Sequence, residues 1–73
     1  AYSIKETNFC GVPEVNESGV FQQYISVTVT DGKLTQTFMV HAQVQWEDSF
    51  KSFGDINTVI KGKVKEWFET NFN

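Results

Sequence analysis

From position 20 to position 46 polar and apolar residues alternate, and the pattern breaks at its centre on Asp31-Gly32. Period two sends successive side chains of a strand to opposite faces. One face therefore collects Phe21, Ile25, Val27, Val29, Leu34, Phe38, Val40, Ala42, Val44 and Trp46. The other collects Gln22, Ser26, Thr28, Thr30, Lys33, Thr35, Thr37, Gln43 and Gln45, with Tyr24, Met39 and His41 among them. Two such stretches around an Asp-Gly pair predict an antiparallel hairpin closed by a two-residue type I′ turn, whose twist suits a two-stranded ribbon. That turn sets the register: Thr30 opposite Lys33, Val29 opposite Leu34, Val27 opposite Gln36, Ile25 opposite Phe38, Gln23 opposite Val40 and Phe21 opposite Ala42. Tyr24 then faces Met39, and His41 faces Gln22.

Ahead of the hairpin, Tyr2 to Asn8 alternates weakly and reads as a first strand. Phe9 to Gly19 holds Gly11, Pro13, Asn16, Ser18 and Gly19, a composition that predicts a connecting loop. Glu47 to Gly54 reads as a second turn region, with Phe50 and Phe53 folding back onto the core.

From about Asp55 the period changes. Ile56, Ile60, Val64, Trp67 and Phe68 fall within about 120° of arc at 100° per residue, and Val59 widens it, which is the stripe of an amphipathic helix. Asp55 can cap it, although Ser52 followed by Asp55 at capping-box spacing offers an earlier start. Gly62 lies on the outward side and costs about 1 kcal/mol against Ala, so packing must hold this helix, with Trp67 as its anchor.

The fold class predicted is α+β: a three-stranded antiparallel meander with one C-terminal amphipathic helix on its apolar face. About 16 helical residues span about 24 Å, while Lys33 to Trp46 as a strand runs about 45 Å. A first strand of seven residues, about 23 Å, leaves much of the hairpin's edge unpaired. These mismatches lead to the expectation of a homodimer, formed by edge pairing or by packing of the exposed sheet.

Composition narrows the function classes. At 73 residues the chain has room for a single domain, residues 1–73, and its 40% hydrophobic content is too high for a disordered segment. No apolar run reaches the roughly 18 residues that span a bilayer, so no membrane association is expected. All six basic residues are Lys, against nine acids, and no Arg is present to supply the planar fork used on phosphates and base edges. Nucleic acid is accordingly an unfavoured partner. A three-stranded sheet backed by one helix is also an architecture that lays its outer face in the DNA major groove, but such faces are basic and this one offers only Lys5 and Lys33.

Cys10 is the single cysteine, so neither an internal disulfide nor a thiolate zinc site can form. With an N-terminal stretch, Ala1 to Lys5, unlike a signal peptide, this leads to the expectation of a cytoplasmic protein. His41, the one histidine, has no carboxylate opposite it to orient an imidazole for acid–base work. Cys10 would need His41 beside it to act as a nucleophile. The acid pairs Glu47-Asp48 and Glu66/Glu69 lack the ligand spacing of an oxygen-rich metal loop, and no phosphate loop, nucleophile elbow or metal-binding helix motif occurs. No enzyme, cofactor or metal is expected.

Binding is the better-supported class. The polar sheet face is nearly uncharged, and Thr, Ser and Gln desolvate at less cost than Lys or Glu. Tyr and Met are enriched at interface cores, so Gln22, Tyr24, Thr37, Met39 and His41 form the candidate partner-binding patch. On the helix, Lys61, Lys63 and Lys65 precede Glu66 and Glu69, an order opposed to the helix dipole. A lysine patch serving an acidic partner would explain it. The expectation is a small non-enzymatic protein-interaction module of adaptor or inhibitor type acting as a homodimer; the alternative is a nucleic-acid-associated accessory protein using its lysines.

Overall fold

A computed structural model describes residues 1–72. Its elements are strands β1 (Ser3–Val15), β2 (Val20–Thr30) and β3 (Thr35–Gln45), followed by helix α1 (Phe53–Phe72). The strands form one antiparallel sheet in the order β1-β2-β3, and α1 packs on one face. The α+β meander with a C-terminal helix read from the sequence is what the chain adopts.

The side-chain alternation of β2 and β3 is the one expected. Phe21, Ile25, Val27, Val29, Ala42 and Val44 are buried beneath α1, which contributes Ile56, Ile60 and Val64 to the same core. The hairpin register needs correction. Thr30 pairs with Thr35, Val29 with Gln36, Val27 with Phe38, Ile25 with Val40, Gln23 with Ala42 and Phe21 with Val44, two residues away from the type I′ register on β3. Gly32 alone in the turn has positive φ, at 97°, whereas a type I′ turn would require it of Asp31 too. A four-residue loop, Asp31 to Leu34, replaces that turn because local side chains satisfy its backbone. Asp31 Oδ1 accepts from Lys33 N–H at 2.9 Å and Leu34 N–H at 2.8 Å, and the Thr30 hydroxyl donates to the Leu34 carbonyl at 2.9 Å. The slip is an even number of residues, so every face assignment within the strands survives it. Leu34 does not: it leaves the apolar face for the loop and is 71% exposed.

β1 is longer than expected. The predicted loop from Phe9 onward is strand as far as Val15, and only Asn16 to Gly19 turn the chain, with Asn16 Oδ1 accepting from Ser18 and Val20 N–H. Gly11 and Pro13 are accommodated because β1 bulges twice against β2, between Ile4 and Glu6 and between Cys10 and Glu14. In the second bulge Gly11, Val12 and Pro13 stand against Gln23 alone, and Gly11 takes a φ of 77°. Gln23 is buried on the helix side. Its amide nitrogen lies 3.0 Å from the Cys10 carbonyl, 3.3 Å from that of Gly11 and 3.0 Å from that of Tyr24, satisfying backbone groups that the bulge frees from the ladder. β1 thus follows β2 from Thr30 to Phe21, and the unpaired hairpin edge expected from a short first strand does not exist. The sheet's open edges are the outer sides of β1 and β3.

The helix starts two residues before Asp55, after Ser52. The earlier of the two starts is taken, but without the expected capping box: Asp55 Oδ2 accepts from Lys51 N–H at 2.7 Å, and Asp55 N–H donates to the Ser52 carbonyl at 3.2 Å. Its 20 residues span about 30 Å against about 36 Å for the 11 residues of β3, so the mismatch is smaller than predicted. Aromatic clusters close both ends. Trp46 meets Phe21 at 5.7 Å and Phe50 at 5.6 Å between centroids, so Phe50 folds back onto the core as predicted; Phe53 does not, since it opens α1 and stays 66% exposed with only an edge-on contact to Phe21 at 5.9 Å. At the other end Trp67 and Phe72 pack edge-on to Phe38, both at 5.5 Å, and Tyr2 reaches Phe72.

Candidate functional site

Outward side chains of the three strands form rows across the sheet. Tyr24 pairs with His41 on one side and Cys10 on the other; Ser26 with Met39 and Asn8; Thr28 with Thr37 and Glu6; Gln22 with Gln43 and Glu14. Every residue of the expected patch, Gln22, Tyr24, Thr37, Met39 and His41, lies on this outer face. Its internal contacts differ from those expected. Tyr24 stacks on His41 at 4.5 Å with planes 18° apart, instead of facing Met39, and Gln22 faces Gln43 instead of His41. The two-residue register change causes both corrections.

The stack makes a flat platform from two aromatic rings. Tyr24 is 51% and Met39 60% exposed, unusual values for large side chains in the middle of strands, where the opposite face holds the core. Thr28 and Thr37 share a hydroxyl hydrogen bond at 3.0 Å across the two strands. Along β2 and β3 the face carries no Lys, Arg, Asp or Glu; β1 adds Glu6 and Glu14 at its margin. No lysine occupies a paired outward position. Beside Tyr24 the second bulge opens a notch of about 250 Å3 lined by Cys10, Gly11, Val12, Glu14 and Gln22.

Cys10 and His41 share one row of the sheet, but Tyr24 separates them. Two strand spacings set their backbones about 10 Å apart, and the Cys10 thiol instead turns to the Asn8 carbonyl at 3.8 Å. This arrangement gives no base to activate the thiol. Among the described residues no three His, Cys, Asp or Glu side chains converge as a metal site. In the β2–β3 loop the Leu34 N–H, then the Lys33 N–H, hold the Asp31 carboxyl below the usual carboxylate range, a structural role.

Two grooves flank α1, and sequence reasoning missed both. Helix α1 shares one core with β2 and β3, whereas of β1 Ile4 packs against that core and Phe9, farther along the inner side, stays 47% exposed. A cleft of about 180 Å3 results, lined by Ile4, Thr7, Phe9, Ile60 and Val64 and bordered by Lys61 and Lys65. On the opposite flank an open groove of about 590 Å3 runs between Val40 to Gln43 of β3 and Lys63, Glu66 and Trp67 of α1. The expected lysine patch is therefore divided: Lys61 and Lys65 border one flank, Lys63 the other. Only the relative placement of helix and sheet could have disclosed the grooves, and no periodicity encodes it. Among the described residues, no helix is long and apolar enough to cross a membrane. Compared with protein-family models, curated proteins and solved structures, the chain matches none.

Proposed function

We propose that the chain is a small protein-interaction module, without enzymatic chemistry of its own, which acts as a homodimer and docks a further protein through the outer sheet face. The observation that carries this reading is the Tyr24–His41 stack beside exposed Met39 on a face whose β2 and β3 positions are hydroxyl and amide. Such a surface gives up its water cheaply and presents rigid aromatic area, the combination found at the centres of protein interfaces. Tyr24 and His41 hold each other in place before a partner arrives, which reduces the entropy lost on docking. No cofactor enters this reading. The single thiol fits a reducing compartment, and we propose the cytoplasm as the setting.

Affinity capture from the native host lysate tests the docking face. The double variant Tyr24→Ala with Met39→Ala should lose the partners that the unaltered chain retains; an unchanged set of partners would refute the face. The nucleic-acid reading is weaker, since the helix lysines divide between two flanks and Glu6 and Glu14 border the outer face. Binding to mixed duplex or single-stranded DNA at about 50 mM salt, where phosphate contacts are strong, would revive it.

A further inference from the structure

The β2–β3 ladder is bracketed by two backbone bonds of the same phase, Asp31 N–H to the Leu34 carbonyl at 3.2 Å and Trp46 N–H to the Gly19 carbonyl at 3.0 Å. In an antiparallel pair, residues bonded to the neighbour alternate with residues whose N–H and C=O point away from it. With this phase and the unbroken register of β3, the even-numbered residues 36 to 44 bond to β2. Thr35, Thr37, Met39, His41, Gln43 and Gln45 turn both backbone groups to the open edge.

That edge has none of the devices that discourage strand pairing. From Thr35 to Gln45 it contains no Pro, Gly, Lys, Asp or Glu and no bulge. β1, at the other edge, has two bulges, Pro13, Lys5, Glu6 and Glu14.

We infer that the β3 edge pairs antiparallel with β3 of a second copy across a two-fold axis, joining two three-stranded sheets into one of six strands. This inference rests on the homodimer reading above and specifies its surface. Full overlap of the two edges centres the axis on Val40, which sets Met39 against the partner's His41 and Thr37 against the partner's Gln43. Each of these pairs joins residues with free backbone groups, so the register satisfies the edge in full.

Three features favour a second copy as the occupant. The chain carries a net charge of −3, yet the groove beside β3 offers one cation and one anion, Lys63 and Glu66, so two copies meet there in charge balance. Pairing of the β3 edges places both helices on the same face of the joined sheet, each beside the seam, with Trp67 in the groove between α1 and β3 as the natural anchor. The edge runs about 36 Å without interruption, long enough for all six free-backbone residues of each copy to pair across one seam. The dimer also brings the two outer patches side by side, doubling the docking face.

Sedimentation equilibrium between about 1 and 100 μM, with a charge swap, tests the edge. The wild type should be dimeric at the upper concentration. Thr37→Lys with Gln43→Lys puts like charges opposite each other only in the proposed dimer, and should weaken association at least about tenfold. Thr37→Lys with Gln43→Glu puts opposite charges there and should restore it to within about threefold. Amide exchange on the wild type supplies a readout independent of the variants. Met39, His41 and Gln43 amides should slow as concentration rises, while Phe38, Val40 and Ala42 amides stay slow throughout. A dimer indifferent to the double lysine variant would overturn the β3 pairing and leave the interaction-module reading standing. A wild type that stays monomeric, with those odd-numbered amides unprotected, would overturn both the pairing and the homodimer. Should either variant fail to fold, exchange on the wild type decides alone.

Discussion

The two edge strands of this sheet are built on opposite principles. β3 runs straight for 11 residues in unbroken register, with an uncharged outer face and an inner face beneath α1. β1 spans 13 residues, bulges twice, carries Pro13 and three charged side chains before its end, and keeps much of its inner face open. The same covalent backbone is thereby made unreceptive on one side and receptive on the other. Solubility pressure normally blunts both edges of an open sheet, so an unblunted edge marks the side on which pairing is tolerated or used.

The sharpest way to break the comparison is to remove an inner-face phenylalanine from each half. Phe38→Ala in β3 loses contacts with Trp67 and Phe72 and should cost about 3 kcal/mol of unfolding free energy by urea titration. Phe9→Ala, at the uncovered β1 position, should cost about 1 kcal/mol. Equal losses would mean that β1 is packed as tightly as β3 in solution. Next in size, Gln23→Leu leaves the carbonyls of Cys10 and Gly11 without a partner inside the bulge and should destabilise by about 2 kcal/mol. Gly11→Ala forces a side chain into positive φ; open space surrounds the new Cβ, so only the backbone cost of about 1 kcal/mol is expected in the same titration.

The smallest effect lies in the β2–β3 loop. Asp31 is more acidic folded than unfolded, so its contribution is present above the unfolded value near about 3.9 and is lost as pH falls through the lower folded value. Asp31→Asn keeps an oxygen acceptor for the Lys33 and Leu34 N–H groups but cannot ionise. Its melting temperature should therefore fall less steeply than that of the wild type between about pH 5 and pH 2, and parallel curves would assign the acid sensitivity elsewhere.

Side-chain parity is legible in the sequence because it depends only on counting by two, which is why Tyr24 and Met39 are outside and Ile25 and Phe38 inside although the type I′ turn predicts a register two residues off. The loop length was not legible. Asp31-Gly32 satisfies a two-residue turn equally well on paper, and the choice fell to side-chain bonds from Thr30 and Asp31 that depend on the final geometry. The far half of β1 was hidden for a related reason. Gly11 and Pro13 announce a break in regular pairing, and a bulge and a loop share that signature until a partner such as Gln23 is known. For the candidate site, membership of the patch could be read from alternation, whereas the Tyr24–His41 stack and the free backbone groups of β3 required the register.

The aromatic clusters at the two ends of α1 each contain one tryptophan, Trp46 in one and Trp67 in the other. Ultraviolet emission from this small molecule is consequently divided between its poles. Replacing either indole by phenylalanine leaves a reporter for the remaining pole, so denaturation curves from the two single-tryptophan chains compare fraying at opposite ends. Superimposed curves would identify one cooperative unit, and separated curves would show which pole opens first.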